Sequence, residues 1–318
     1  MSDNDFDSDA SLDASQIDDR RDVDSSGGGF GGGGGYGGYT GGGGGGFSIP
    51  GGGMTVGGGI VGLIIVVIGA LLGTGTIDVG GLTGGGSGSS GDNRALAEKC
   101  SVNNPDRFKE LDCRNGFYVN DIQQFWKSEL PKSFGVPYRV TKAVFFSRAT
   151  NTGCGQADSA VGPFYCPADE LVYIDLSFYS ELASRFGAPG QFAQAYVLAH
   201  EFGHHVQNLT GTERKIRQLQ QQYPSRKNKY SIALELQADC YAGVWAKNAG
   251  GGPVATVDQR DIQEALQAAA AVGDDRIQQS AGGGVNEETW THGSAQSRQQ
   301  WFFTGYNSGD PRQCETLR

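Results

Sequence analysis

The stretch His200-Glu201-Phe202-Gly203-His204 carries the clearest chemistry in this chain. Two histidines four apart on a helix project from one face, a turn apart, so both imidazoles can address a single ion. The glutamate next to the first histidine reaches the space beside that ion. Zinc is held through two nitrogens in this way, with a carboxylate set to deprotonate a water that the metal acidifies. The reading requires a helix, and residues 191–209 supply one. Phe192, Ala195, Tyr196, Ala199, Gly203 and Val206 form one apolar or small stripe, Pro189-Gly190 breaks the chain before it, and Gly211 stops it.

Catalytic zinc needs a third protein ligand and one position left for water. A third histidine six residues after the second is excluded, because position 210 is Thr and position 207 is Gln. A glutamate from a later helix is the other solution. Residues 230–249 have helical apolar spacing at Ala233, Leu234, Ala238, Ala242, Trp245 and Ala246, and Gly250-Gly251-Gly252 ends the run. Glu235 and Asp239 lie four apart on that helix, among apolar positions. Carboxylates there are costly unless paired or bound to metal. Glu235 as ligand and Asp239 as acceptor for a ligand imidazole N–H satisfy both; two solvated carboxylates on an exposed face are the alternative.

HEFGHHVQ followed by ELQADCYAGVWA resembles the neutral zinc metallopeptidase family of bacterial membrane-anchored proteins, and shares the H-E-x-x-H plus E-x-x-x-D pattern of the wider gluzincin clan. The resemblance extends through residues 153–178 and 291–311, and so covers most of the chain from about Lys99 onward. It implies one zinc ion held by His200, His204 and Glu235, Glu201 as base and Asp239 behind the ligands. It implies a peptide or protein substrate but names none.

The oxyanion that develops on peptide hydrolysis needs a donor besides the metal. The chain has four histidines. His205 points about 100° around the helix from His204, so it is expected to pack or face solvent rather than bind the same ion. His292, in Thr291-His292-Gly293-Ser294, is the donor candidate, and the clan's habit of drawing such a donor from a C-terminal segment favours it. The competing reading is a residue that merely flanks a helix start at Ser294. Tyr165 and Tyr173 are weaker candidates, with core packing the expected role. A peptidase also holds its substrate extended against an edge strand, and residues 161–166 or 171–175 could supply it.

The remainder of the chain divides sharply. Residues 1–25 are acidic and 26–53 almost all Gly, so 1–53 reads as a disordered cytoplasmic tail. The Gly run lacks the Lys-Ser/Thr ending of a phosphate loop. Residues 54–75 open with a charge-free apolar run (54–73) long enough for one transmembrane helix at about 1.5 Å per residue. Residues 76–98 read as a Gly/Ser linker and 99–318 as the peptidase domain. All six cysteines, Cys100, Cys113, Cys154, Cys166, Cys240 and Cys314, follow the apolar segment, which suits an oxidising exterior and a single-pass protein of the cell membrane with its C-terminal domain outside. Cys100–Cys113, Cys154–Cys166 and Cys240–Cys314 is the expected pairing, although proximity supports only the first two. A net charge of −10 gives no sign of nucleic-acid binding.

Within the domain, residues 121–130 read as a helix, 139–147 as a strand, 258–279 as a long helix with Asp258 as N-cap, and 294–306 as a final helix with Trp301 and Phe302 for burial. This is the order of an α+β, zincin-like metallopeptidase. An inactive anchored module, keeping a structural zinc or no metal, is the alternative. Glu201 argues against it, since a structural site has no use for that carboxylate.

Overall fold

The computed structural model describes residues 5–21, 93–282 and 284–317. The expected transmembrane segment, the Gly-rich tail and residues 76–92 of the expected linker lie outside the described residues; residues 93–98 of that linker are instead part of a helix with Leu96 buried. Among those described, no helix is long and apolar enough to cross a membrane.

A four-stranded sheet is flanked by helices. Its order is β1 (Ile17–Asp19), β2 (Ala143–Phe146), β6 (Leu171–Asp175), β5 (Phe164–Cys166). The first three run parallel, and β5 returns antiparallel to β6 with Phe164 opposite Tyr173. Alternation along the strands sorts side chains to two faces. Ala143, Phe145, Val172 and Ile174 face the main core, while Val144, Phe146, Phe164 and Tyr173 form a smaller one with Ala157. Ala157 belongs to the hairpin of β3 (Ala149–Thr152) and β4 (Gly155–Asp158). The strand expected over 139–147 pairs only from Ala143 to Phe146; Arg139 and Val140 are exposed.

Within the stretch 1–53 expected to be disordered, the first strand corrects that expectation for residues 5–21. Residues 5–21 are bound to the domain: Ile17 is fully buried, and Phe6 is 4% exposed and stacked on Phe108. Few apolar residues suffice here because tertiary partners, not local periodicity, hold the segment.

The helices are α1 (Asn93–Lys99), α2 (Leu111–Phe134), α3 (Phe178–Ser184), α4 (Gln191–Thr210), α5 (Thr212–Gln222), α6 (Lys227–Asn248), α7 (Gln259–Ala271), α8 (Asp274–Ser280) and α9 (Ala295–Ser308). The helix expected over 121–130 is the middle of the longer α2. The helix expected over 258–279 starts as read, with Asp258 and Asp261 forming a capping box, but breaks between α7 and α8. Gly273 sits in the break because a Cβ there would lie 2.4 Å from the Ala295 nitrogen. Ser294 caps α9 through Oγ, which accepts from the Ser297 N–H at 3.1 Å.

Glycines set the helix crossings. A Cβ at Gly203 on α4 would meet the Ala238 Cα of α6 at 3.1 Å, and one at Gly243 on α6 would fall 1.9 Å from the Phe302 oxygen of α9. Small residues at these points let α6 lie close against both neighbours. Phe192 stacks on Trp245 at 5.7 Å, and burial of each such ring is worth roughly 1.5–3 kcal/mol. All three expected disulfides are present: Cys100–Cys113, Cys154–Cys166 and Cys240–Cys314. The last joins α6 to the C-terminal segment.

Candidate metal centre

The close contact of Gly203 with Ala238 brings Glu235, one turn earlier on α6, opposite the two histidines of α4. Glu235 Oε2 lies 3.2 Å from His200 Nε2, and Oε1 lies 3.6 Å from His204 Nε2. Ligand atoms of the three residues all fall within 4.8 Å of one another. Among the described residues this is the one such group.

The hydrogen bonds behind the histidines fix their tautomers. His200 Nδ1–H donates to Asp239 Oδ1 at 2.8 Å, and a carboxylate can only accept. His204 Nδ1–H donates to Gln207 Oε1 at 2.8 Å. That amide is oriented because its Nε2 donates to the Leu234 carbonyl at 2.7 Å and to Gln237 Oε1 at 3.1 Å. Both histidine Nε2 lone pairs therefore face the Glu235 carboxylate. Lone pairs aimed at a carboxylate repel unless a cation or proton lies between them. Two imidazole nitrogens and one carboxylate, each backed by a hydrogen-bonding partner, fit zinc.

The electrostatics agree. Burial works against charge on His200, but Asp239 and Glu235 on its two nitrogens raise its pKa to about 10 without metal. Burial also opposes ionisation of Glu235 and Asp239. For Glu235 the surrounding histidines, His204 and His292 foremost, outweigh it and hold the carboxyl well below its ordinary range. For Asp239 the Arg298 guanidinium and His200 do so. Glu201, 8% exposed, goes the other way: burial raises its pKa against the pull of His200 and His204. A carboxylate with raised basicity is suited to taking up a proton near neutral pH.

Sequence reasoning missed the roles of four residues. Arg298 of α9, 4% exposed at its side chain, grips Asp239 through Nε and an Nη at 2.8 and 2.9 Å. The Tyr196 hydroxyl donates to the same carboxylate at 2.5 Å. Gln207 orients His204; a Gln three residues after a ligand His on one helix was its available signal. Asp274 is the fourth: its Oδ2 accepts the backbone N–H groups of Thr291, His292 and Gly293 at 2.7–2.9 Å. Its Oδ1 lies 3.3 Å from His292 Nδ1, which also meets Thr291 Oγ1 at 2.9 Å. His292 is thus held in place and lines the cleft together with His200, Glu201, His204 and Glu235.

The remaining candidates separate. His205 is fully buried, with Nε2–H donating to the Arg139 carbonyl at 2.7 Å and Nδ1 accepting from the Tyr165 hydroxyl at 3.1 Å. It packs the sheet against α4. Tyr165 lines the cleft, but its hydroxyl is engaged by His205 and Asn208. Tyr173 donates to Asp169 at 2.7 Å within the smaller core, away from the cleft. Of the two strands considered for substrate, β6 is interior and β5 is an edge. Phe164 and Tyr165 of β5 line the cleft.

Two helix-borne histidines, a glutamate from a following helix and a buried glutamate beside them define a zinc-peptidase type of centre. The chain belongs to the family described as "Putative neutral zinc metallopeptidase", which matches residues 9–317. It is similar to an uncharacterized Escherichia coli K12 protein, YpfJ, at 50% identity over 193 residues, covering 60% of this chain and 66% of that one. An uncharacterized protein of Mycobacterium tuberculosis H37Rv is 46% identical over 216 residues, covering 65% of this chain and 71% of its own length. The match thus spans just under two thirds of the E. coli relative. No solved structure gives a significant match.

Proposed function

We propose that this chain is a zinc-dependent endopeptidase that works outside the cytoplasm. The convergence of the His200, His204 and Glu235 ligand atoms beside a buried Glu201 carries the reading. Bound there, zinc would supply an acidified water and polarise the scissile carbonyl. Glu201 accepts the proton of the attacking water on its carboxylate and passes it to the leaving amine. His292, its Nδ1–H donating to Asp274 Oδ1, donates from Nε2 to the oxygen that gains charge when its ring carries both protons. The open edge of β5 pairs with an extended peptide backbone, which suits cleavage within a chain. Three disulfides support an oxidising compartment.

The test is hydrolysis of an unfolded protein substrate by the zinc-loaded full chain and two variants. Glu201→Gln should retain zinc and lose activity by about 10²–10⁴-fold, the usual worth of a positioned acid–base group. His292→Gln should retain zinc and lose about 10²–10³-fold in kcat, as for loss of one oxyanion donor. Wild-type turnover by Glu201→Gln removes the base assignment. The inactive-module reading predicts no hydrolysis by any of the three.

A further inference from the structure

The N-terminal segment is tied to the domain along its described length. Asp7 N–H donates to the Pro253 carbonyl at 3.0 Å, and Ala255 N–H donates to that of Asp5 at 2.8 Å. Phe6 lies parallel to Phe108 with ring centroids 4.7 Å apart. Leu12 fills the space over Gly116, where a Cβ would come within 2.8 Å of it. Asn120 of α2 brackets Asp13, accepting from its N–H at 2.8 Å and donating to its carbonyl at 3.1 Å. β1 then extends the sheet in parallel register with β2. Arg21 ends the segment 2.8 Å from Asp112, which Lys99 also meets at 2.9 Å.

Asn93, where the described chain resumes, touches the same strand. Its side chain accepts from the Asp19 N–H at 3.2 Å and donates to the Ile17 carbonyl at 2.5 Å. Arg21 and Asn93, the described residues on either side of the gap, thus both lie on the domain.

We propose that residues 5–21 lie on the same side of the membrane as the disulfide-bonded domain. A strand cannot pair with a sheet through a membrane, and this holds even if a neighbouring copy supplies the strand. Two ends on one side require an even number of crossings. Each crossing takes about 20 apolar residues. The charge-free stretch at 54–73 is long enough for one at most. The single-pass arrangement with a cytoplasmic tail, expected from composition, is therefore incompatible with the docked strand.

Ser11 and Gln222 are both exposed, one on the segment and one at the end of α5. Full-length chains carrying Ser11→Cys or Gln222→Cys are expressed in bacterial cells, which are treated intact or lysed with a membrane-impermeant maleimide. Both variants should label equally in intact cells whose outer layer has been made permeable. Labelling of Ser11→Cys only after lysis, with Gln222→Cys open beforehand, overturns the proposal. Protection of both until lysis also places them on one side and upholds the proposal, while overturning the reading of a domain outside the cytoplasm. Trypsin cleavage after Arg20 and Arg21 of the full chain reports docking itself. Ile17→Asp should speed it by at least about tenfold, since cleavage follows the open population. Equal rates would show that the strand is not docked and overturn the proposal.

Discussion

Replacing Arg298 with methionine tests whether the charge behind the ligands is a working part of the centre. The guanidinium makes two contacts with Asp239 at 2.8 and 2.9 Å, and neither side chain reaches solvent appreciably. Methionine fills most of the volume but leaves a buried carboxylate with only Tyr196 and His200 as partners. Removing one member of a buried ion pair costs about 3–5 kcal/mol. The two surviving partners place the expected loss near the lower end, about 3 kcal/mol. Asp239 also orients His200, so zinc affinity should fall by about 10–100-fold, the usual effect of losing a partner behind a ligand. Denaturant melts of the metal-free protein give the first quantity, and competition with a chromophoric chelator gives the second. Combining Arg298→Met with Asp239→Asn removes the stranded charge. The double variant should be more stable than the sum of the single losses by about 1–3 kcal/mol. A single variant within about 0.5 kcal/mol of wild type, or strict additivity, refutes the coupling.

Two further outcomes follow from the packing. Burial raises the Asp121 carboxyl to a pKa of about 6, although Trp245 Nε1–H and Val254 N–H donate to it at 2.8 and 2.9 Å. A pKa above the unfolded value of about 3.9 means that the protonated form favours the fold, a contribution present below about pH 4 and lost as pH rises through about 6. The stability difference between wild type and Asp121→Asn should therefore shift against wild type by up to about 3 kcal/mol between pH 4 and 7, read from paired denaturant melts, and a flat difference contradicts the shift. Gly243→Ala should cost about 1–3 kcal/mol or more, because its methyl would meet the Phe302 carbonyl and force α6 from α9; an unchanged Tm would show that the helices do not approach so closely.

The centre was legible in sequence to the extent that its parts lie on single helices. His200, His204 and Glu201 are fixed by spacing within α4, and Glu235 and Asp239 by spacing within α6. The approach of the two helices was signalled only by Gly203 and Ala238, small residues whose meaning depends on what crosses them. Arg298 was hidden because it sits in a polar run with nothing to distinguish it from a surface residue, while its partner is on another helix. Asp274 was hidden because 258–279 reads as one helix; only the contact of Gly273 with Ala295 breaks it. Residues 5–21 show the same limit most plainly. Their composition is that of a disordered tail, and a strand emerges because Ala143–Phe146 offers an edge and α2 offers Asn120.

The zinc content of the purified full chain tests the central claim most directly. Wild type, freed of loosely held metal and examined by elemental analysis, should carry about one zinc per chain, as three protein ligands and an open position imply. Glu235→Ala should lose it while remaining folded. A folded wild-type protein that takes up no zinc when supplied with it, or a Glu235→Ala chain that binds zinc as tightly as wild type, would contradict the account.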